Sequence, residues 1–499
     1  FLHSHGAKIV PWRQATSSGG FACDVSVSAS ANGDLHRLPG ELLLVPHGAG
    51  HLKFRATDEG VDETVSGLSP DQLRHDGEVI PSVIALSGRE PMNRLRRSCP
   101  DAAARAELTG DVCLERLLAS RPHRGRYRRG LGVHDDQKLV LLSSTWGSES
   151  LLGRLPKLAD RLLAELPADE FRVAAALHPN CWDRHGRPQV YGWLEAARRA
   201  GLAVIPPHEG WRAVLAASDC VVGDHGSTIL YGASLDKPLV FAAFGWSEVP
   251  GDSPAAALGR AAPQLDPDSD LLPQIRETIA SHDPGRYAGI AAEALDPEPS
   301  AGDRLRQILY RLLRLDPPGP PPAPQPLPPP DVDWTPATAH YVYPIETTES
   351  ARSGLTLTRY PTAAEPAARE RPYRERILVV DAAEPDQRLW HAASASTWTE
   401  TPLTLDEAAR WTREQLDACP GMELAAAAMR GDCFLARSRR LGAFVGRSDF
   451  RFDLSVAAAA IYRGTLDSEM PTTLRFREGF RNLAVTLTPS RVDEDASGT

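Results

Sequence analysis

The sequence predicts two tandem doubly wound α/β units, a proline-rich linker and a small α+β domain. Three observations carry that reading. Short apolar strands alternate with helical patterns up to about residue 315; ten of the fourteen residues from Pro317 to Pro330 are proline; and beyond Trp334 the alternation gives way to runs of strands. Fully apolar strands interleaved with helices imply parallel sheets covered on both faces. Proline fixes φ and lacks a backbone N–H, so residues 317–330 fit neither a helix interior nor a sheet. They are expected as an exposed, stiff spacer, with the tail folded apart from what precedes it.

Taken in order, the candidate strands of residues 1–130 are AKIVPW, ACDVSVSAS, ELLLVP and EVIPSVIALSG. Residues 131–315 read more sharply, as strand KLVLLSS, helix SLLGRLPKLADRLLAEL, strand FRVAAALHP, helix QVYGWLEAARRAG, strand LAVIPP, helix GWRAVLAAS, strand DCVVGD, helix STILYGASL and strand PLVFAAF. Both segments are expected as Rossmann-like units. Residues 316–333 are the linker. In residues 334–499, HYVYPIE, GLTLTRYP, RILVVDA, GAFVGRS and DFRFDLSVAAAAIY are expected as strands, TLDEAARWTREQLDA as a capped helix and TTLRFREGFRNLAVTLTP as a hairpin. No motif in this tail converts into chemistry.

Composition excludes several classes. With 499 residues, 42% of them apolar, the chain can bury two or three cores. No apolar run reaches the roughly 18 residues of a membrane span. A net charge of −10 argues against general nucleic-acid binding. The seven cysteines are scattered without a C-x-x-C pair and are expected as reduced thiols. The chain is therefore expected in the cytoplasm, at most peripheral at the inner face of the membrane. Its first residue is Phe rather than Met, so a preceding segment and an incomplete first unit are expected. The most basic stretch, RPHRGRYRRG, is either a contact for anionic headgroups or polymer, or a solvated loop.

Ligands of open α/β sheets bind beyond the carboxyl ends of the strands. There the stretch CVVGDHGSTILYGASLDKPLVF breaks a buried strand with Asp224-His225-Gly226-Ser227-Thr228 and begins a helix at once. A helix start offers free N–H groups and partial positive charge, a natural seat for phosphate. The alternative is that Ser227 or Thr228 simply caps the helix. Other strand ends are similarly polar: His47, Gly48 and Lys53 in VPHGAGHLKF, Ser144, Thr145 and Trp146 in LSSTWG, and His178 and Asn180 in LHPN. His47 and His51 are spaced for metal on a helix, but two glycines separate them and no H-E-x-x-H follows, so no metal is expected. No G-x-S-x-G elbow supports nucleophilic hydrolysis.

The series strand-HG-Lys, strand-STW, strand-HP and strand-D-x-x-S-helix-LDKP-strand resembles the CDP-glycerol:poly(glycerophosphate) glycerophosphotransferases of teichoic acid synthesis, over roughly residues 40–310. The departures are Gly226 where a second serine hydroxyl is usual, one extra residue between His47 and Lys53, and Gly147 where a basic residue is common. The resemblance implies a GT-B type architecture, with a first acceptor-side unit and a second donor unit. It implies transfer of a glycerophosphoryl or glycosyl group from a nucleotide-diphospho donor to a hydroxyl of a polymer or lipid-linked acceptor, in cell-surface polymer synthesis and without a cofactor. Under it, His47 is the base and a protonated His178 neutralises the leaving phosphate. Thr145, Asp224, His225, Gly226, Ser227 and Thr228 hold the diphosphate, and Gly48, Lys53, Ser144 and Asn180 are further substrate contacts. A nucleotide-sugar epimerase of the same architecture and a non-catalytic nucleotide-binding relative are the alternatives.

Overall fold

The computed structural model describes residues 8, 10–17, 22–49, 51, 53–57, 60–298, 300–345, 355–369, 375–448, 452–466 and 472–490. The first sheet is wholly parallel, in the order β1 (Val25–Ser28), β2 (Glu41–Leu44), β3 (Val83–Leu86) and β4 (Ala106–Leu108). Alternate residues of a strand face opposite sides. Leu42, Leu44, Ile84 and Leu86 accordingly join one core with Leu95, while Leu43, Val83 and Ala85 join another with Ile308. Burial on both faces is why ELLL and VIAL read as unbroken apolar runs. AKIVPW makes no strand among the described residues; a short helix, Trp12–Ala15, follows Pro11 instead.

The second sheet holds β5 (Lys138–Ser144), β6 (Phe171–Leu177), β7 (Ala203–Val204), β8 (Cys220–Gly223) and β9 (Leu239–Phe241), ordered β7-β6-β5-β8-β9 and all parallel. Chain order therefore reverses between β5 and β8, which opens a crevice above that pair. The expected boundary at residue 130 does not match the packing. Leu114, Leu117, Tyr127 and Leu131 belong to the core of the second sheet, and Ile308 on helix Ala301–Leu313 belongs to that of the first. The chain crosses to the second sheet near residue 111 and returns after Asp296. Within the basic stretch, Arg124 and Arg128 pair with Asp219 at 2.7 and 2.8 Å, and Arg128 is buried. That part of RPHRGRYRRG fastens a helix to the sheet and is no solvated loop.

The proline segment is only partly the free spacer expected. Leu327 is buried, its N–H donates to Ser120 Oγ at 2.9 Å, and its carbonyl accepts from Tyr127 Oη at 2.9 Å. Prolines leave few N–H groups to satisfy, so such a strap can lie along a surface using an occasional side-chain partner.

Beyond the strap, nine strands close into a barrel, which the expected α+β domain did not anticipate. They are β10 (Ala339–Ile345), β11 (Leu355–Pro361), β12 (Ile377–Asp381), β13 (Ala395–Leu403), β14 (Leu424–Met429), β15 (Cys433–Ser438), β16 (Gly442–Arg447), β17 (Thr473–Glu478) and β18 (Arg481–Pro489), in the order β10-β11-β17-β18-β16-β15-β14-β13-β12. DFRFDLSVAAAAIY, expected as a strand, is instead the helix Leu454–Thr465, with the Asp453 carboxylate accepting from Ser455 N–H. Its alanines pack with inward residues such as Val342, Val379, Ala426, Phe476 and Val485. Small side chains are what a helix enclosed by a nine-stranded barrel has room for. The tail is also not folded apart: Ala364 is buried in the core of the second sheet, and Ala168 N–H donates to Arg359 O at 3.0 Å.

Candidate functional site

The ends of β5 and β8 flank the crevice, and Asp224 ties them together. Its Oδ2 accepts from the N–H groups of Thr145 and Leu151, each at 2.8 Å, and its Oδ1 from Gly226 N–H at 3.0 Å. Burial raises its pKa, against the opposing pull of His225 and these amides. The carboxylate is spent on the protein, so Asp224 builds the corner and does not face a phosphate as expected. Ser144 is likewise internal, its hydroxyl donating to Thr145 O at 2.9 Å and accepting from Leu152 N–H at 3.0 Å.

The helix Ser227–Ser234 has Gly226 at its N-cap, with no side-chain cap bond. Ser227 and Thr228 are its first two residues, so neither is the cap that the simpler alternative required. Their N–H groups lie in the first turn, where no intrahelical acceptor exists. Gly226 has φ −78° and ψ 167°, extended backbone open to any residue. A Cβ there would stand 3.2 Å from Asp224 Oδ1, a tight fit that the carboxylate would have to yield to by a few tenths of an ångström, and 3.5 Å from Thr145 Cβ, an ordinary contact. Thr145 is buried and forms the facing wall.

The loop after β2 comes up against this helix end. Gly48, at φ +112°, would place a Cβ 3.1 Å from Ser227 Oγ, a conformation and an approach that both favour glycine. His47 beside it is exposed. The structure thus sets Gly48, with His47 beside it, against Ser227, and puts His178 within electrostatic reach of His47 and Lys53. His178 is exposed, yet desolvation by its surroundings, followed by nearby Lys53 and His47, lowers its pKa. Its Nδ1 accepts from Asn180 N–H at 3.1 Å, which leaves the proton of the neutral ring on Nε2. The expected protonated His178 is therefore disfavoured; a neutral Nε2–H donor replaces it.

His225 is also turned inward. It is fully buried, its Nδ1 accepts from Gly245 N–H at 3.0 Å, and its Nε2–H donates to Glu248 Oε2 at 2.8 Å. With both ring nitrogens engaged it has no free group for a phosphate, against expectation. The same Glu248 oxygen takes Lys53 Nζ at 2.8 Å, and Glu248 O accepts from Phe54 N–H at 2.9 Å. The hydrogen bond from His225, followed by Lys53, brings the Glu248 pKa down to about 2. A second tie lies nearby, Arg94 Nη2 to Asp252 Oδ1 at 2.8 Å. Glu248 thus links the loop of the first sheet to the corner of the second, and the sequence reading missed it. Glu248→Ala is expected to lower stability by about 1–3 kcal/mol, because a buried His225 N–H loses its acceptor. Urea unfolding of the variant checks this, and an unchanged midpoint would show the link to be idle.

No family model and no curated protein matches the chain. Solved structures similar to it include the wall teichoic acid polymerase TagF, at 13% identity over 55% of this chain and 69% of that one, with a TM-score of 0.39. A glycosyltransferase from Rickettsia africae is 9% identical over 63% of this chain and 79% of its own, with a TM-score of 0.32. HepE from Anabaena, in complex with UDP and glucose, is 15% identical over 55% of this chain and 72% of its own, with a TM-score of 0.30.

Proposed function

We propose that the protein is a transferase that moves a glycerophosphoryl or glycosyl group from a nucleotide-diphospho donor to a hydroxyl acceptor in cell-surface polymer synthesis. The observation that carries the reading is the uncapped helix end at Ser227, set at the chain reversal of a parallel sheet and faced by the His47-Gly48 loop. The donor diphosphate sits over the N–H groups of Ser227 and Thr228, and Gly226 allows the approach. His178 donates Nε2–H to a phosphate oxygen. His47 takes the proton of the acceptor hydroxyl as its oxygen attacks. In the glycerophosphoryl case the new bond forms at the β-phosphorus, and the bond to the bridging oxygen breaks to release CMP. In the glycosyl case the bond forms at the anomeric carbon and a nucleoside diphosphate leaves. An epimerase requires available carboxylates at the same place; Asp224 and Glu248 are already committed to protein donors.

The test is a binding and turnover screen against CDP-glycerol and UDP-, GDP- and ADP-linked sugars. A true donor raises the melting temperature by mass action. His47→Ala is expected to abolish transfer, by about 100-fold or more, without weakening donor binding. Full turnover in His47→Ala, or no stabilisation by any donor, overturns the reading.

A further inference from the structure

A cavity of about 260 Å³ lies where the second sheet, the connector after the proline strap and the barrel meet. Its walls come from the helix Glu195–Arg199, from residues 333–339 and from the turns that follow β11 and β12. The connector is pinned at one end, where Asp333 and Val204 of β7 exchange backbone hydrogen bonds at 3.1 and 3.2 Å, and at the other Ala339 opens β10. Helix Glu195–Arg199 and Leu202 precede β7, so the cavity sits at the amino end of the second sheet, opposite the crevice. Three carboxylates and two guanidiniums line it. Arg198 is spent, with Nη2 on Asp333 at 3.1 Å and Nη1 on Glu195 at 3.4 Å. Arg199 is not. Its Nη2 stands 3.9 Å from Glu384 Oε1, beyond hydrogen-bond reach, and its guanidinium makes no closer polar contact among the described residues. Glu384 is buried, and its two oxygens accept from Thr338 Oγ1 at 2.6 Å and from Asp386 N–H at 2.9 Å.

We propose that this cavity binds a small free α-amino acid, its carboxylate on Arg199 and its ammonium on Glu384. The two side chains form an open pair, of opposite charge yet too far apart to bond. Both keep capacity to spare: the guanidinium has its N–H donors free, and each carboxylate oxygen can accept a second hydrogen bond. A simple anion placed between them would also meet the Glu384 carboxylate, and a simple cation would also meet Arg199. Only a molecule that carries both charges satisfies both, and in an α-amino acid the ammonium and the carboxylate share one carbon. The surplus of carboxylates over guanidiniums in the lining provides for the ammonium. At about 30 Å³ per water, the space holds roughly nine waters, which is room for a small amino acid and not for a larger metabolite. Leu202, Pro336, Ala339 and Ala363 supply an apolar wall for a short side chain. Because the walls belong to the second sheet, the connector and the barrel, a bound amino acid ties the barrel to the sheet. Nothing in the crevice takes part.

Glycine, L-alanine and L-serine are titrated calorimetrically into the full chain, with melting curves alongside. At least one is expected to bind and to raise the melting temperature by mass action. Two analogues of the best binder each remove one charge. The 2-hydroxy acid (glycolate, lactate or glycerate) lacks the ammonium, and the amide lacks the carboxylate. Each is expected to bind about 10-fold more weakly or worse, one charge-assisted contact being lost. Arg199→Gln alters an exposed side chain whose guanidinium makes no hydrogen bond among the described residues, so the variant should fold, as circular dichroism would verify. It is expected to weaken the amino acid by about 10-fold or more. The assignment is overturned if none of the three amino acids binds, or if the best binds Arg199→Gln as tightly as the unaltered protein. It is overturned too if the 2-hydroxy acid matches its amino acid, which makes this a simple anion site, or if the amide does, which makes it a cation site. None of these outcomes touches the transferase reading, whose own test is donor binding at the crevice.

Discussion

Asp224→Asn is expected to cost about 3 kcal/mol of stability and to remove donor binding, although the substitution changes almost no volume. Asp224 accepts from three backbone N–H groups, those of Thr145, Leu151 and Gly226. A carboxylate is acceptor-only, whereas an amide turns an NH2 toward at least one of those donors. Each bond to a charged acceptor is worth about 1.5–3 kcal/mol, and a buried N–H left facing another donor adds its desolvation cost. Among these donors, Thr145 belongs to the wall of the proposed phosphate seat and Gly226 to its floor. Whichever way the amide turns, it loses either Gly226 or Thr145 and one side of the seat moves, so donor affinity should vanish where Ser227→Ala only reduces it, since the backbone donors survive in that variant. Urea unfolding and calorimetric titration of the two variants separate these outcomes. A destabilised Asp224→Asn that still binds donor normally once folded would mean that the corner merely supports the sheet.

Much of this corner was legible because polarity stands out where it interrupts a buried strand. His47, His178 and Ser227 each follow an apolar run, and Gly48, beside His47, comes up against Ser227. What the sequence does not signal is which polar groups turn inward. His225 looks as available as His178 on paper, yet its partner is Glu248, and Glu248 is joined to Lys53 across 195 residues of chain. In the fold, β2, β3, β5, β6 and β8 were visible because both their faces are buried. The barrel was not. Strand β14 is LAAAAM, and alanine carries no strand preference; its small residues reflect the helix enclosed within the barrel. That helix was mistaken for a strand because DFRFD alternates, while the alanines beyond it favour a helix once Asp453 caps it. The sheet units were mis-bounded because helices of one stretch of chain pack on the sheet of the other, a tertiary choice with no local mark.

The junction between barrel and second sheet supplies the other large effect expected. Arg359 on β11 donates Nε–H to Asp169 Oδ1 at 2.6 Å and Nη1–H to Ser455 Oγ at 2.9 Å, and its Nη1 lies 2.6 Å from Asp453 Oδ2. Glu478 pairs with Arg481 at 2.9 Å and accepts from Asp453 N–H at 3.0 Å, while Arg481 reaches Asp136 at 3.0 Å. Arg359→Met leaves Asp169 and Asp453 without their cation, a loss of about 3–5 kcal/mol. The loss should depend on pH, and its sign follows from the shifts. Burial, with Asp169 close by, raises Glu478 to about 7; burial, against the pull of Arg359, raises Asp169 to about 6. Both acids hold protons more tightly folded than unfolded. The stability they contribute is thus complete below their ordinary values near 4 and is lost as pH rises through 6 and 7. Asp453 runs the other way: burial would raise it, but Arg359 and His340 outweigh that and hold it low, so its contribution is already complete above the ordinary carboxylate range. Between pH 5 and 8 these two acids make stability decline with rising pH, while His340, whose pKa burial brings down to about 3, opposes them up to its ordinary value near 6.5, so the acids' decline is read as the difference between each variant and the unaltered protein. Glu478→Gln should flatten that decline. Arg359→Met should steepen it, because the acids then meet pH 8 without their cation. Melting curves of the three proteins at both pH values decide the matter: an Arg359→Met loss equal at pH 5 and pH 8 would mean that charge at this junction does not govern how the barrel is held.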